Sequence, residues 1–116
     1  MKTTCDKAIE IAKLIKDGKG NDVKVIDVSK LNSWTDFFVL VTVNSSTQYQ
    51  GFYRQIKDYI KDNDLEIRLT NRKLPDTDDW NLMDLGSIVI HFMSDNARKF
   101  YDLEKLWHKG TFIEVE

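Results

Sequence analysis

Three aspartates, Asp27, Asp36 and Asp84, stand in or beside apolar, strand-like segments. Carboxylates gathered on one sheet face hold magnesium and stabilise phosphoryl transfer. A nucleotidyl-transfer site also asks for a glycine-serine loop ahead of paired acids, to cradle the phosphates. "DLGS" supplies Gly86 and Ser87, but the apolar run "IVIHF" follows where acids belong. Asp36, at the mouth of "FFVLV", reads as a hydrogen-bonding cap. Asp76, Asp78 and Asp79 in "PDTDDW" are oxygen donors of the kind that hold divalent cations. Their spacing lacks the glycine and distal glutamate of a calcium loop, so the stretch reads as a solvated turn. His91, His108 and Cys5 have no ligand spacing among them. The residues therefore indicate neither a metal nor a cofactor.

His91 alternates within "IVIHFM", sharing a strand face with Val89 and Met93 and opposing Ile90 and Phe92. It reads as a half-buried histidine bonded to a neighbour, or as an interface contact. Trp80 opens a strand after the acidic loop. It is either a core anchor or, if partly exposed, a binding hot spot. Further on, Ala97, Phe100, Tyr101, Glu104 and His108 line one side of a predicted helix, and Leu103, Leu106 and Trp107 widen its apolar arc. That arc is broader than one buried stripe needs, which points to a contact outside the domain. Arg98 and Asp102, four apart, are expected to pair along this helix.

The elements that must position these residues follow from periodicity. Ala8, Ile11, Ala12 and Ile15, with Cys5 before them, predict a first helix ended by Gly18 and Gly20. "VKVIDV" and "TDFFVLVTV" predict two strands, the second covered on both faces. Tyr49, Phe52, Tyr53, Ile56, Tyr59 and Ile60 stripe a second helix behind the caps of "NSSTQ". "LEIRL" predicts a short strand, "TNRKLPDTDD" a loop, and "WNLMDL" with "SIVIHFM" two strands about Gly86. A helix through Trp107 and a tail, "TFIEVE", with edge-strand character complete the chain. The order α-β-β-α-β-β-β-α predicts one layered α/β domain over 1–110 with a tail over 111–116. Its sheet is mixed, its helices pack mainly on one side, and residues 35–69 allow one parallel crossover.

Composition narrows the function classes. The chain has 116 residues, 41% hydrophobic and 31% charged, which suits one globular domain. No apolar run approaches the roughly 18–20 residues that span a bilayer, and no signal core opens the sequence. One cysteine fits a reducing cytosol. The net charge of −2, with cations scattered among acids, makes nucleic acid a poor partner and permits a basic protein.

Two stretches resemble one family. "IDVSKLNSWTDFFVLVTVNSSTQ" is similar to the D-x-S…D-(Y/F)-F-V segment of the ribosomal silencing factors, the Iojap-related proteins. "WNLMDLGSIVIHFMSDNARKFYDLEKLW" resembles their W-x-L-x-D-x-G…H…R…Y-x-L-E-x-L-W signature. Trp80, Leu82, Asp84, Gly86, His91, Arg98, Tyr101, Leu103, Glu104, Leu106 and Trp107 stand in the expected order, and the likeness runs from the first helix to Trp107. The chain departs from the pattern in "DLGS", where the family has D-Y-G-D, and in lacking an acid-glycine pair before Trp80.

The resemblance implies a nucleotidyltransferase-like core that has lost its catalytic acids, without enzymatic activity. It implies a cytoplasmic translational repressor that docks on the large ribosomal subunit through ribosomal protein L-fourteen and sterically blocks joining of the small subunit. On this reading Trp80, Leu82 and Asp84 form the contact region with His91 and Arg98 beside them, and Tyr101, Glu104 and Trp107 brace it. Homodimerisation through the same aromatic surface is compatible. The competing reading is a magnesium-dependent nucleotide-binding or nucleotidyl-transfer enzyme using Asp27, Asp36 or Asp84.

Overall fold

The structure, a computed structural model, describes residues 2–72 and 79–115. Helix α1 (Thr4–Asp17) starts at a capping box: Thr3 Oγ1 accepts from the Asp6 N–H and the Asp6 carboxylate accepts from the Thr3 N–H. Its buried side chains are the predicted stripe, Ala8, Ile11, Ala12 and Ile15. Helix α2 (Ser46–Lys61) is capped by Ser45 and buries Phe52, Ile56 and Ile60. The two helices are joined by Tyr59, whose hydroxyl donates to Glu10 at 2.5 Å. Burial, then the hydrogen bond to Glu10 and its charge, pushes the Tyr59 pKa up.

Strands β1 (Asn21–Asp27), β2 (Phe37–Thr42), β3 (Leu69–Arg72), β4 (Trp80–Asp84), β5 (Ile88–Met93) and β6 (Thr111–Ile113) form one mixed sheet in the order β3-β4-β5-β2-β1-β6. Among the described residues only the β2–β5 pair is parallel. These two central strands are buried at every residue, which explains their near-continuous apolar sequences. Alternation sends Val25, Val39, Val41, Ile90 and Phe92 to the face covered by α1 and α2. Ile26, Phe38, Leu40, Val89 and Met93 go to the opposite face, under the short helices α3 (Asp95–Tyr101) and α4 (Leu103–Leu106). The fold is thus a single α/β domain with its long helices on one side. Gly20 lets α1 approach the sheet, since a Cβ there would fall 2.6 Å from Ile15 and 2.8 Å from Val41.

Three expectations are corrected. The strand expected over 65–69 begins at Leu69 instead, and residues 70–72, read as loop, belong to it. Leu65 and Ile67 alternate because they pack onto the first core, not because they join a ladder. The parallel partner of β2 is not this strand but β5, because β3, β4 and β5 form an antiparallel meander that brings its last member against β2. The C-terminal helix does not run unbroken to Trp107. Asp102 adopts a left-handed conformation (φ 45°, ψ 61°), ending α3 and capping α4 through its carboxylate, which accepts from the Lys105 N–H. The tail segment supplies β6, antiparallel to β1.

The break redirects Arg98. Its guanidinium is buried and does not pair with Asp102 as expected. It donates to the Asp22 carbonyl at 2.8 Å, to Thr42 Oγ1 at 3.2 Å, and to the carboxylates of Asp22 at 3.1 Å and Glu104 at 3.2 Å. Six residues along a straight helix lie about 240° around the axis, on a different face. Only the kink at Asp102 brings Glu104 to Arg98. The charge is paired and its donors are used, as burial of a guanidinium requires.

Asp102→Ala should cost about 1–2 kcal/mol, from the lost cap and the positive φ, whereas Asp102→Gly should stay within a few tenths because glycine takes that conformation freely. Arg98→Met should cost about 2–4 kcal/mol, tempered because Asp22 and Glu104 can rehydrate; urea denaturation measures both. Hydrogen bonds lower the pKa of three carboxylates: Asp6 (from the Thr3 backbone, then its hydroxyl), Glu10 (from Tyr59, then Lys2) and Asp27 (from the Ser29 hydroxyl, then its backbone). Groups lowered on folding contribute stability above their ordinary values and lose it as pH falls through the lowered ones. The urea midpoint should therefore fall on acidification below about pH 4, and a midpoint unchanged there would contradict this linkage.

Candidate functional site

The second sheet face is only partly covered. Along β4, alternation puts Trp80, Leu82 and Asp84 on this face, opposite Met93, His91 and Val89 of β5. All three are intermediate in exposure, whereas Asn81 and Met83 between them are buried. A run of rings crosses the face. Phe100 touches Tyr101 at 5.0 Å, Tyr101 touches Trp80 at 4.9 Å, and Trp80 meets His91 at 5.9 Å. His91 packs edge-on against Phe38 at 4.9 Å, which in turn carries Trp107 at 5.0 Å and Trp34 at 5.8 Å. The edge-to-face and tilted geometries are those that aromatic quadrupoles favour.

Within this run the imidazole is fixed. The Trp80 indole N–H donates to His91 Nδ1 at 3.1 Å. An indole nitrogen only donates, so Nδ1 accepts and the neutral ring carries its proton on Nε2. His91 is 5% exposed and Arg98 6% exposed, so both lie beneath the face, and His91 is bonded to a neighbour as one of its two readings expects. His91 orients Trp80, and Arg98 anchors α3 and α4 to the sheet. Glu104 acts through Arg98, and Trp107 through Phe38, as braces. Trp80, Leu82, Asp84 and Tyr101 remain as the accessible group, with Tyr101 38% exposed.

Asp84 is also a turn anchor. Its carboxylate accepts from the Gly86 N–H at 2.7 Å. Gly86 has φ +89°, and a Cβ there would fall 2.8 Å from Arg68 Nε. The turn therefore needs glycine and aims Asp84 from the sheet end. Asp36 lies at the same end and face, one residue before β2, with its side chain exposed. Asp27 faces the other way, where its carboxylate accepts from the Ser29 hydroxyl at 2.6 Å and backbone at 3.0 Å. It does the capping expected of Asp36. The three aspartates thus stand on three elements and two faces.

Asp76 and Asp78 lie outside the described residues. Asp79 accepts from the Ser94 N–H through its backbone carbonyl. Among the described residues no group of three histidines, cysteines or acids is arranged to hold a metal ion, and no helix is long and apolar enough to cross a membrane.

The strongest surface features were only half visible in the sequence. Phe100 is 81% exposed and Leu106 69% exposed. The over-wide arc of the C-terminal helix signalled a surplus without saying which members faced out. Trp34, 58% exposed, sits with Leu31 in the β1–β2 connection. A tryptophan inside the polar stretch "SKLNSW" was the available signal there.

The family model described as "Ribosomal silencing factor during starvation" matches residues 1–116. A relative in Treponema pallidum, named ribosomal silencing factor RsfS, is 37% identical over 86% of this chain and 88% of its own length. One of the same name in Bacillus subtilis is 32% identical over 86% of this chain and 83% of its own length. The mouse protein named "Mitochondrial assembly of ribosomal large subunit protein 1" is 29% identical over 88% of this chain but only 45% of its own length. A crystal structure of a Chromobacterium violaceum protein superimposes with a TM-score of 0.76 at 25% identity, covering 97% of this chain and 92% of that one. With the family model spanning the full sequence, the chain belongs to the ribosomal silencing factor family.

Proposed function

We propose that this protein docks on the large ribosomal subunit, through ribosomal protein L-fourteen, and represses translation by occluding the small subunit. The observation that carries this reading is the half-open aromatic and acidic face of β4 and α3. Trp80 and Tyr101 meet there at a tilt, Leu82 adds an aliphatic contact, and Asp84 supplies the charge. Tryptophan and tyrosine held rigid by neighbours are what interface hot spots use. An acidic rim suits a basic ribosomal protein. Family membership supports the ribosomal setting, as does the mouse relative's name, which refers to large-subunit assembly.

The mechanism asks for no bond chemistry. Occupancy alone excludes the second subunit, so affinity and position decide the effect. Asp27, Asp36 and Asp84 serve as turn anchors and rim charges in this reading, and among the described residues no three acids gather to support the magnesium-nucleotide alternative. The working compartment in this reading is the cytoplasm. A homodimer over the same face would compete with docking.

Sedimentation of ribosomal subunits with saturating protein should show fewer joined particles; unchanged joining at full occupancy would refute the reading. Asp84→Asn should weaken binding to the large subunit by roughly tenfold, about 1.4 kcal/mol, while leaving the melting temperature nearly unchanged. The amide oxygen still accepts from Gly86, so only the charge is lost. Tyr101→Ala should cost about 1–2 kcal/mol of binding. Full affinity in both variants would remove this face from the dock.

A further inference from the structure

Beneath the half-open face, one hydrogen bond joins a side chain that can change its charge to a side chain placed to meet a partner. The Trp80 indole N–H donates to His91 Nδ1 at 3.1 Å, and the two rings lie 5.9 Å apart at a 47° tilt. The indole only donates, and an imidazole nitrogen accepts only while the ring is neutral. In the imidazolium both ring nitrogens carry protons, so Nδ1 would aim an N–H at another N–H. The bond then cannot form, and one of the rings must turn.

The imidazole lies in close packing. Leu40 of β2 and Leu82 of β4 stand across the ladders from it, and Phe38 closes on it at 4.9 Å. On the elements packed around it, β4 carries Asp84 at the Val89 end of the same face, bound to the Gly86 N–H. Asp79 precedes β4 and accepts from the Ser94 N–H through its carbonyl. On this face β2 brings Phe38, Leu40 and Thr42, with Asp36 preceding it at the Val89 end. From α3, Tyr101 reaches Trp80 and Arg98 reaches Thr42, while Asp95 and Lys99 pair with each other in solvent. From α4, Glu104 is held by Arg98. Asp84 and Glu104 favour a positive ring and Arg98 opposes one, while loss of the indole bond penalises it in every case.

We propose that His91 is a proton-sensitive positioning residue: its neutral ring holds Trp80 in the docking orientation, and its protonation releases the indole and weakens docking on the large ribosomal subunit. The partner in this inference rests on the ribosomal reading; the coupling of His91 to Trp80 does not. Trp80 is fixed from two sides, by His91 at its nitrogen and by Tyr101 across its ring at 4.9 Å. With the first hold gone, a hot spot that was rigid on arrival must be ordered during binding, which lowers affinity. The added proton comes from solvent and goes to Nδ1, so docking is strong where His91 is neutral and fades as the pH falls through its midpoint.

The free chain tests the coupling, and the large subunit tests its effect. The imidazole nitrogen and indole N–H resonances of the isotope-labelled protein are followed from about pH 8 to about pH 5, the range over which histidine changes charge. At the alkaline end His91 Nδ1 should show the shift of an unprotonated nitrogen. On acidification the His91 nitrogens and the Trp80 indole N–H should move with one midpoint. Trp80→Phe removes the donor that favours the neutral ring, so the His91 midpoint should rise. Affinity for isolated large subunits should fall through the wild-type midpoint, approaching about tenfold per pH unit below it, as the loss of one proton on binding requires. His91→Asn keeps an acceptor near the Nδ1 position but takes up no proton, so that drop should vanish. His108→Gln removes the other histidine and should keep the drop. The proposal is overturned by a protonated Nδ1 at the alkaline end, by no His91 titration in this range, or by an indole N–H that ignores the titration. An unmoved midpoint in Trp80→Phe, or a wild-type drop in His91→Asn, overturns it equally. If His91→Asn does not fold, the Trp80→Phe midpoint decides. A wild-type chain that binds no subunits at any pH refutes the ribosomal reading instead, and the coupling then stands or falls on the two resonances.

Discussion

Everything in this fold answers to the burial of β2 and β5 on both faces. Twelve ladder residues, six consecutive ones on each strand, have no solvent side, so helices must cover the sheet twice. The first layer is provided generously by α1 and α2. The second is provided by α3 and α4, which are short and bent. That second layer covers the sheet centre over Phe38, Leu40, Val89 and Met93 and stops short of β4. The half-open face carrying Trp80, Leu82 and Asp84 is what remains where the cover ends.

Holding so small a cover in place is the task of Arg98. A buried guanidinium with five donors can bind a carbonyl, a hydroxyl and two carboxylates at once. It ties both helices to the start of β1 and the end of β2. The left-handed turn at Asp102 is a precondition for this arrangement, and the two features are best read as one device. Tyr101, the residue just before the turn, is thereby set against Trp80. The surface geometry thus depends on a charge that never reaches the surface.

Much of this was legible in the residues. The stripe of α1, the two-faced apolar runs of β2 and β5, and the pair of strands about Gly86 follow from periodicity, because one-residue shifts would turn whole faces outward. The family likeness was legible too, since eleven signature positions from Trp80 to Trp107 depend on order alone. What was not legible was every feature set by long-range geometry. The alternation of Leu65 and Ile67 reports a face but not a hydrogen-bonding partner. The choice of β5 over β3 beside β2 is decided by the meander. The spacing of Arg98 and Asp102 predicts a pair only on a straight helix, and nothing local announces the bend. Burial of His91 and Arg98 likewise depends on which elements close over them, which local spacing does not report.

The parallel pairing has a consequence for synthesis. Phe37 meets Ile88 across about fifty intervening residues, so as the chain lengthens, one edge of "FFVLVT" has no native neighbour until the meander is complete. The β1 hairpin can shield its other edge early. Until then an uncharged, β-branched edge stands open to any strand nearby. Crowded expression should therefore favour association of nascent chains, and slowing translation or lowering temperature should favour soluble yield.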